Sequence, residues 1–89
     1  MIFEYDEVKN QANIKKHGIS FIEAQNIWLD KDCIEFALPY EDEPRFVAIG
    51  QYRCKVWAAI ITYREERIRI ISVRRARKNE VRLYEDNKK

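Results

Sequence analysis

The sequence predicts an α+β fold, in which two tandem helices cover one face of a mostly antiparallel sheet and a short helix ends the chain. The expected sheet has four to five strands, in the chain order β-α-α-β-β-β-β-α. Three observations carry this reading. Two consecutive segments near the start pair a helix cap with apolar residues at helical spacing. From Cys33 onward the period changes, and four short strand-like runs follow, separated by turn-forming breaks. The chain has 89 residues, enough for one core and one domain over residues 1–89.

Taken in order, residues 2–5 (Ile-Phe-Glu-Tyr) read as an opening strand. Asp6 is placed to cap a helix running to about His17, with Val8, Ala12 and Ile14 expected toward the core. Gly18 is placed to stop that helix in the left-handed conformation that glycine adopts cheaply. Ser20 and Glu23 have the spacing of a capping box, in which each side chain satisfies a free backbone donor of the other. Phe21, Ala24, Ile27 and Trp28 then recur at helical spacing. Residues 33–38 alternate weakly and end at Pro39, and residues 39–44 form an acidic loop containing Glu41, Asp42 and Glu43. Residues 45–51 make the next strand, with Tyr52-Arg53 as a tight connection into residues 54–63. This third run is apolar on both faces, so it is expected in the sheet interior. Arg64-Glu65-Glu66 turns the chain into residues 67–75, and the close succession of strands favours an antiparallel meander. Residues 77–84 fit a helix with Val81 and Tyr84 on one side.

Composition narrows the function classes. Two glycines, two prolines and 46% hydrophobic residues describe an ordinary globular protein. The longest apolar run, residues 56–61, is too short to span a bilayer. Glu4, Asp6, Glu7 and Lys9 stand where a signal peptide would be apolar, so the expectation is cytoplasmic. Cys33 and Cys54 flank or begin strand-like runs and are expected as unpaired, buried small hydrophobes in a reducing compartment. One histidine and two widely spaced cysteines offer no metal-ligand spacing, and no cofactor-binding pattern is visible, so neither metal nor cofactor is expected.

Charge is unevenly distributed. Residues 1–63 hold seven Lys/Arg against ten Asp/Glu, whereas residues 64–89 hold ten against five. Such a basic third suits RNA or an acidic partner, although a merely solvated face has the same composition. Within it, Arg67 and Arg69 alternate with Ile68 and Ile70, which turns the guanidinium groups away from the core side of a strand. Arg74, Arg75, Arg77 and Lys78 continue the run across a strand end and a helix start, where free backbone N–H groups also favour phosphate. Edge strands carry charge to prevent sheet aggregation, and this accounts for one or two of these arginines. His17, beside Lys16 at a helix end, is the one side-chain type that titrates near neutrality, but a helix terminus alone attracts a cation there. Tyr63, Tyr84 and Trp57 could stack on bases, yet aromatics at strand spacing also build cores.

These residues also resemble a known family. Phe3-Glu4-Tyr5-Asp6-Glu7-Val8-Lys9-Asn10 is similar to its F-x-W-D-x-x-K-x opening, with Tyr5 for the common tryptophan. Asn13-Ile14-Lys15-Lys16-His17-Gly18-Ile19-Ser20-Phe21 with Glu23-Ala24 resembles N-x-x-K-H-G-[VI]-[ST]-F-x-E-A. Arg45-Phe46 with Ile49-Gly50 fits R-[FY]-x-x-[IL]-G. Residues 67–76, Arg-Ile-Arg-Ile-Ile-Ser-Val-Arg-Arg-Ala, fit R-I-R-[IV]-I-S-A-R-x-A. The family is BrnT, toxins of bacterial type II toxin–antitoxin pairs. The chain departs from it at Val73, usually alanine, at Asn79, where basic residues are common, and at Arg77, where Thr or Ser is frequent.

The resemblance implies a RelE-like fold and a metal-independent endoribonuclease that inhibits translation, with the 2′-OH of the RNA attacking the adjacent phosphorus. It also implies a BrnA-type antitoxin with a ribbon-helix-helix DNA-binding domain, through which alone the toxin meets DNA and co-represses its operon. A homodimer, or a heterotetramer with the antitoxin, is the implied assembly, with no membrane partner. For the catalytic work the candidates are Lys16, His17, Arg67, Arg69, Arg74 and Arg75, with Arg64, Arg77 and Lys78 as further RNA-binding residues. The arginine cluster is expected to serve RNA and antitoxin alike. Two other readings fit the same residues: a non-catalytic RNA- or protein-binding module, and a degenerate toxin that acts only in the repressor complex.

Overall fold

In the computed structural model, which describes residues 1–40 and 42–88, the chain runs β1 (Ile2–Tyr5), α1 (Glu7–His17), α2 (Phe21–Ala24), β2 (Ile34–Leu38), β3 (Arg45–Tyr52), β4 (Lys55–Arg64), β5 (Arg67–Arg75) and α3 (Lys78–Asn87). α2 continues directly into a 3-10 turn, Gln25–Leu29. The five strands form one sheet in the spatial order β1-β5-β4-β3-β2. Strands β2 to β5 form the expected antiparallel meander, and β1 joins parallel to β5. The doubly apolar β4 lies in the middle, as its composition requires. Glu41 of the expected acidic loop, and Lys89, lie outside the described residues.

Local signals set the ends of these elements. The Asp6 carboxylate accepts from the N–H groups of Val8 (2.8 Å) and Lys9 (3.4 Å), and Gly18 (φ +73°) closes α1 by donating to Ile14. Ser20 and Glu23 form the reciprocal capping box of α2. The β3–β4 connection is two residues long, with both Arg53 (φ 53°) and Cys54 (φ 62°) left-handed, which is the primed turn whose twist matches the flanking strands. Cys54 is therefore an exposed turn residue, not the buried strand residue expected. Cys33 is half-buried, and both thiols are free.

The sheet buries both faces in part. Beneath α2 and its turn, Phe21, Ala24 and Ile27 pack with Ile19 on Ala48, Ala59, Ile61, Ile68, Ile70 and Val73. On the other face Tyr84 of α3 packs on Val47, Ile49 and Ala58. α3 thus covers the apolar half of that face. The Tyr84 hydroxyl donates to Asp30, whose carboxylate also accepts from the N–H of Gln51 (2.8 Å), so one carboxylate ties α3 to the end of β3. Tyr84 is thus core. Tyr63 sits at the opposite end, exposed, donating to Glu35 (2.6 Å).

Helix α1 reverses the expectation made for it. Val8 is 78% and Ile14 39% exposed, and Ala12 is exposed too, whereas Asn10 (5%) and Asn13 (6%) are buried. The reason lies in what α1 covers. β1 pairs with β5 only as far as Ile70, so the rest of that edge of β5 has no strand beside it. A helix packed there must satisfy backbone groups as well as fill space. Asn13 accepts from Val73 N–H (3.0 Å) and donates to the Ile19 carbonyl (3.0 Å), while Asn10 accepts from Phe21 N–H (2.8 Å).

Candidate active site

Strand β5 carries an irregularity that decides where its arginines go. Ile60 pairs with Ser72 but Ile61 pairs with Ile70, which leaves Ile71 as an extra, bulged residue. Before the bulge, Ile68 and Ile70 enter the core while Arg67 and Arg69 face the other way. After it, the odd residue Val73 is the buried one, fully enclosed in the core, and Arg74 and Arg75 fall on opposite faces.

Beyond the end of β1, an open cleft of about 520 Å³ lies between α1, the free edge of β5 and the start of α3. α1 contributes Lys9, Ala12, Asn13, Lys16 and His17; β5 contributes Ile71, Ser72 and Arg74; Arg77 closes the far end. Among the described residues, four cations and an imidazole line this cleft, and no carboxylate does. Among the described residues only Arg74 of the four cations is ion-paired.

That pair is bidentate. Arg74 donates to both carboxylate oxygens of Glu80, at 2.7 and 2.9 Å, and to the Arg75 carbonyl at 3.3 Å. Glu80 in turn accepts from the Arg77 N–H at the start of α3 (2.8 Å). The Arg74 hydrogen bond holds the Glu80 carboxyl below the usual range against the opposing effect of burial, and the Arg74 guanidinium is pushed up for the same reason. One carboxylate thus locks β5, Arg74 and the head of α3 together. A guanidinium has five N–H donors, and the three bonds used leave Nε–H and one Nη2–H for a ligand.

The structure therefore brings together Lys16, His17, Arg74 and Arg77. It separates the rest. Arg67 and Arg69 lie on the face away from α2, paired with Glu4 at 3.6 and 2.8 Å, and these contacts hold the Glu4 carboxyl below its usual range. Arg67 and Arg74 stand seven positions apart on an extended strand, roughly 23 Å, too far for one phosphate. Arg64 pairs with Glu43 (3.6 Å) at the end of β4. Arg75 points to the α2 side, its guanidinium 5.6 Å from the Trp57 ring centre. Lys78 opens α3, exposed.

Sequence reasoning missed Lys9, Asn13 and Ser72. A signal existed: Lys9, Asn13 and Lys16 stand at i, i+4 and i+7, one stripe of a helix whose polar side faces the site. The apolar residues drew the eye to the wrong stripe.

Among the described residues, no three of His, Cys, Asp or Glu converge to hold a metal ion, and no helix is long and apolar enough to cross a membrane. The family's departures have places here as well: Val73 fills the core beside Asn13, and Tyr5 meets Phe21 edge to face at 5.5 Å. No curated protein sequence matches the chain. The family model of the ribonuclease toxin BrnT, of type II toxin–antitoxin systems, matches residues 5–80, which include α1, β5 and every residue lining the cleft. The chain belongs to this family of ribonuclease toxins.

Proposed function

We propose that the cleft between α1 and β5 is where RNA is cut, without a metal ion, by attack of the 2′-OH on the adjacent phosphorus. The observation that carries this reading is the convergence of Lys16, His17, Arg74 and Arg77 in a lining free of carboxylates. In such a reaction the 2′-oxygen bonds to phosphorus as the bond to the 5′-oxygen breaks. A base takes the 2′-OH proton, an acid delivers one to the leaving oxygen, and the products are a 2′,3′-cyclic phosphate and a 5′-hydroxyl. His17 and Lys16, adjacent at the end of α1, are the proposed carriers of these protons. Charge gathers on the phosphoryl oxygens as phosphorus becomes five-coordinate, and preorganised cations stabilise it there. Arg77, Lys9 and the two free N–H groups of Arg74 are the proposed donors. Arg67 and Arg69 drop out of the chemistry, because both are already paired with Glu4 and the strand carries them away. They, Arg64, Arg75 and Lys78 remain surface contacts for the flanking RNA.

A type II toxin has an antitoxin, and we propose a BrnA-type one, with a ribbon-helix-helix domain that alone touches DNA, in a heterotetramer with the toxin or its homodimer. The whole chain acts as one toxin domain in the cytoplasm. Silencing is simplest if an antitoxin carboxylate enters the cleft, and Glu80 on Arg74 is an intramolecular example of that contact. Exposed pairs contribute about 0–1 kcal/mol, but pairs desolvated in an interface couple by several kcal/mol. The test is digestion of RNA by the purified chain in excess EDTA. Cleavage that leaves 2′,3′-cyclic phosphate ends is expected; cleavage that requires added divalent metal, or that leaves 5′-phosphate ends, overturns the reading.

A further inference from the structure

His17 lines a second cavity as well, of about 270 Å³, at the C-terminal end of α1. The β3–β4 hairpin brings Tyr52, Arg53, Lys55 and Trp57 to it, and α2 brings Glu23. Its volume is just below the roughly 300–1,000 Å³ of pockets for drug-sized molecules, which suits one planar ring system better than a chain of nucleotides. Its walls combine aromatic rings, cations and a single carboxylate, and it meets the cleft at the histidine proposed to move a proton.

We propose that this cavity receives a guanine base of the RNA next to the bond that is cut, with Glu23 as the residue that selects it. This rests on the reading that His17 acts at the scissile phosphate, since only then does a base beside His17 belong to the nucleotide being cut. Glu23 is built to accept. One of its oxygens takes the Ser20 N–H (3.1 Å); the other faces the Tyr52 hydroxyl (3.4 Å) and the Arg53 guanidinium (3.8 Å), both at long range. An ionised carboxylate can take about four hydrogen bonds and donates none, so room remains for two donors side by side.

Among the RNA bases only guanine offers that pair, N1–H and the exocyclic N2–H. Adenine and cytosine place an acceptor nitrogen beside their amino group, and uracil sets one N–H between two carbonyls, so each turns a lone pair toward the carboxylate. Guanine's remaining edge atom, O6, is an acceptor, and Arg53 and Lys55 are the donors at hand. Trp57 is held rigidly, its indole N–H donating to the Tyr52 carbonyl (3.0 Å), with the Arg75 guanidinium near its ring. Tyr52 carries the exposed Arg53 over its ring at 5.3 Å. A base entering here exchanges that guanidinium contact for stacking, the common mode for unpaired RNA bases.

The test measures kcat/KM of the purified chain on RNA oligonucleotides differing only at the nucleotides flanking the cut, with inosine as a further replacement for guanosine. Inosine keeps N1–H and O6 and lacks only the 2-amino donor. Wild type is expected to prefer guanosine over adenosine, and to lose roughly tenfold with inosine, within the range of one bidentate base contact. Glu23→Gln, which keeps a glutamine competent for the capping box, is expected to reduce the guanosine preference at least tenfold and to abolish the difference from inosine. If wild type cuts guanosine and inosine substrates equally while His17→Ala abolishes cleavage, the base subsite is refuted and the catalytic reading stands. If His17→Ala cuts like wild type, the catalytic reading fails and takes this inference with it. The inosine comparison needs no variant, so it decides even if Glu23→Gln folds poorly.

Discussion

Replacing Asn13 with alanine tests how the cleft is held open. Asn13 makes two buried hydrogen bonds of 3.0 Å, one to the Val73 N–H and one to the Ile19 carbonyl, and both partner residues are almost fully enclosed. Alanine removes both at once and leaves a buried donor and a buried acceptor without partners. Each such group costs about 1–3 kcal/mol. Asn13 also borders the open cleft, so water can reach part of the vacated space, and this discounts the total to about 2–4 kcal/mol. A domain of this size has roughly 5–15 kcal/mol to lose, so the variant stays folded. Its midpoint should fall by roughly 10–25 °C. Urea unfolding at neutral pH measures the change directly, and an unchanged slope with denaturant shows that stability moved and not the unfolded state. RNA cleavage should fall as well, because Lys16 and His17 ride on the helix that Asn13 anchors. A loss below about 1 kcal/mol would refute the claim that this asparagine fastens α1 to the free edge of β5.

Two glycines should respond differently to alanine. At Gly50 a new Cβ would stand 2.8 Å from both Cγ2 and the carbonyl oxygen of Ile27, so thermal unfolding should show a loss well above 2 kcal/mol, on the order of 3. At Gly18 the new Cβ meets nothing within 4 Å, and only the left-handed φ of +73° opposes it, for about 1–2 kcal/mol. Acid should destabilise the fold through Glu4, Glu23, Asp30 and Glu80, all held below the usual carboxylate range. Carboxyls depressed in the folded state add stability above their unfolded values, and that stability is lost as pH falls through the folded values. Urea midpoints from pH 7 to pH 3 should therefore fall, and more gently in Glu80→Gln; an identical slope in that variant would contradict the Arg74–Glu80 lock. Among the thiols, exposed Cys54 should react quickly with a disulfide reagent in the native protein, and Cys33 slowly, since burial pushes its thiol up to about 11. Equal native rates would contradict this, and denaturation should release both.

The sequence made legible what short-range chemistry decides. Asp6, Gly18 and the Ser20–Glu23 box end or begin helices through bonds to residues at most four positions away, so spacing alone reveals them. β4 was legible because a strand with Val56, Ala58 and Ile60 on one face and Trp57, Ala59 and Ile61 on the other has to be covered twice. The inward stripe of α1 was not, because its task is to satisfy the backbone of Val73 and Phe21, and hydrophobic period cannot report hydrogen bonding across 60 residues. The arginine run misled in a related way. Arg67 to Arg77 is dense along the chain, but an extended strand spreads it, the bulge at Ile71 reverses its alternation, and Glu4 from the opposite end of the sequence occupies its first two members. The pairing of β1 with β5 is the longest-range event in the fold, and nothing local announces it.

Cleavage rates of His17→Ala and Arg69→Ala, measured beside wild type in EDTA on one RNA, test the central claim most directly. The two residues were equal candidates on sequence, yet one lines the cleft and the other is paired with Glu4 on the far face. Loss of a proton-transfer group should slow cleavage by roughly 10²–10⁴, whereas loss of a distant surface cation should slow it only about threefold or less at physiological salt. A large loss in His17→Ala with a small one in Arg69→Ala is the predicted result. A large loss in Arg69→Ala, with His17→Ala cutting at the wild-type rate, would place the chemistry on the other face of the sheet and contradict the account.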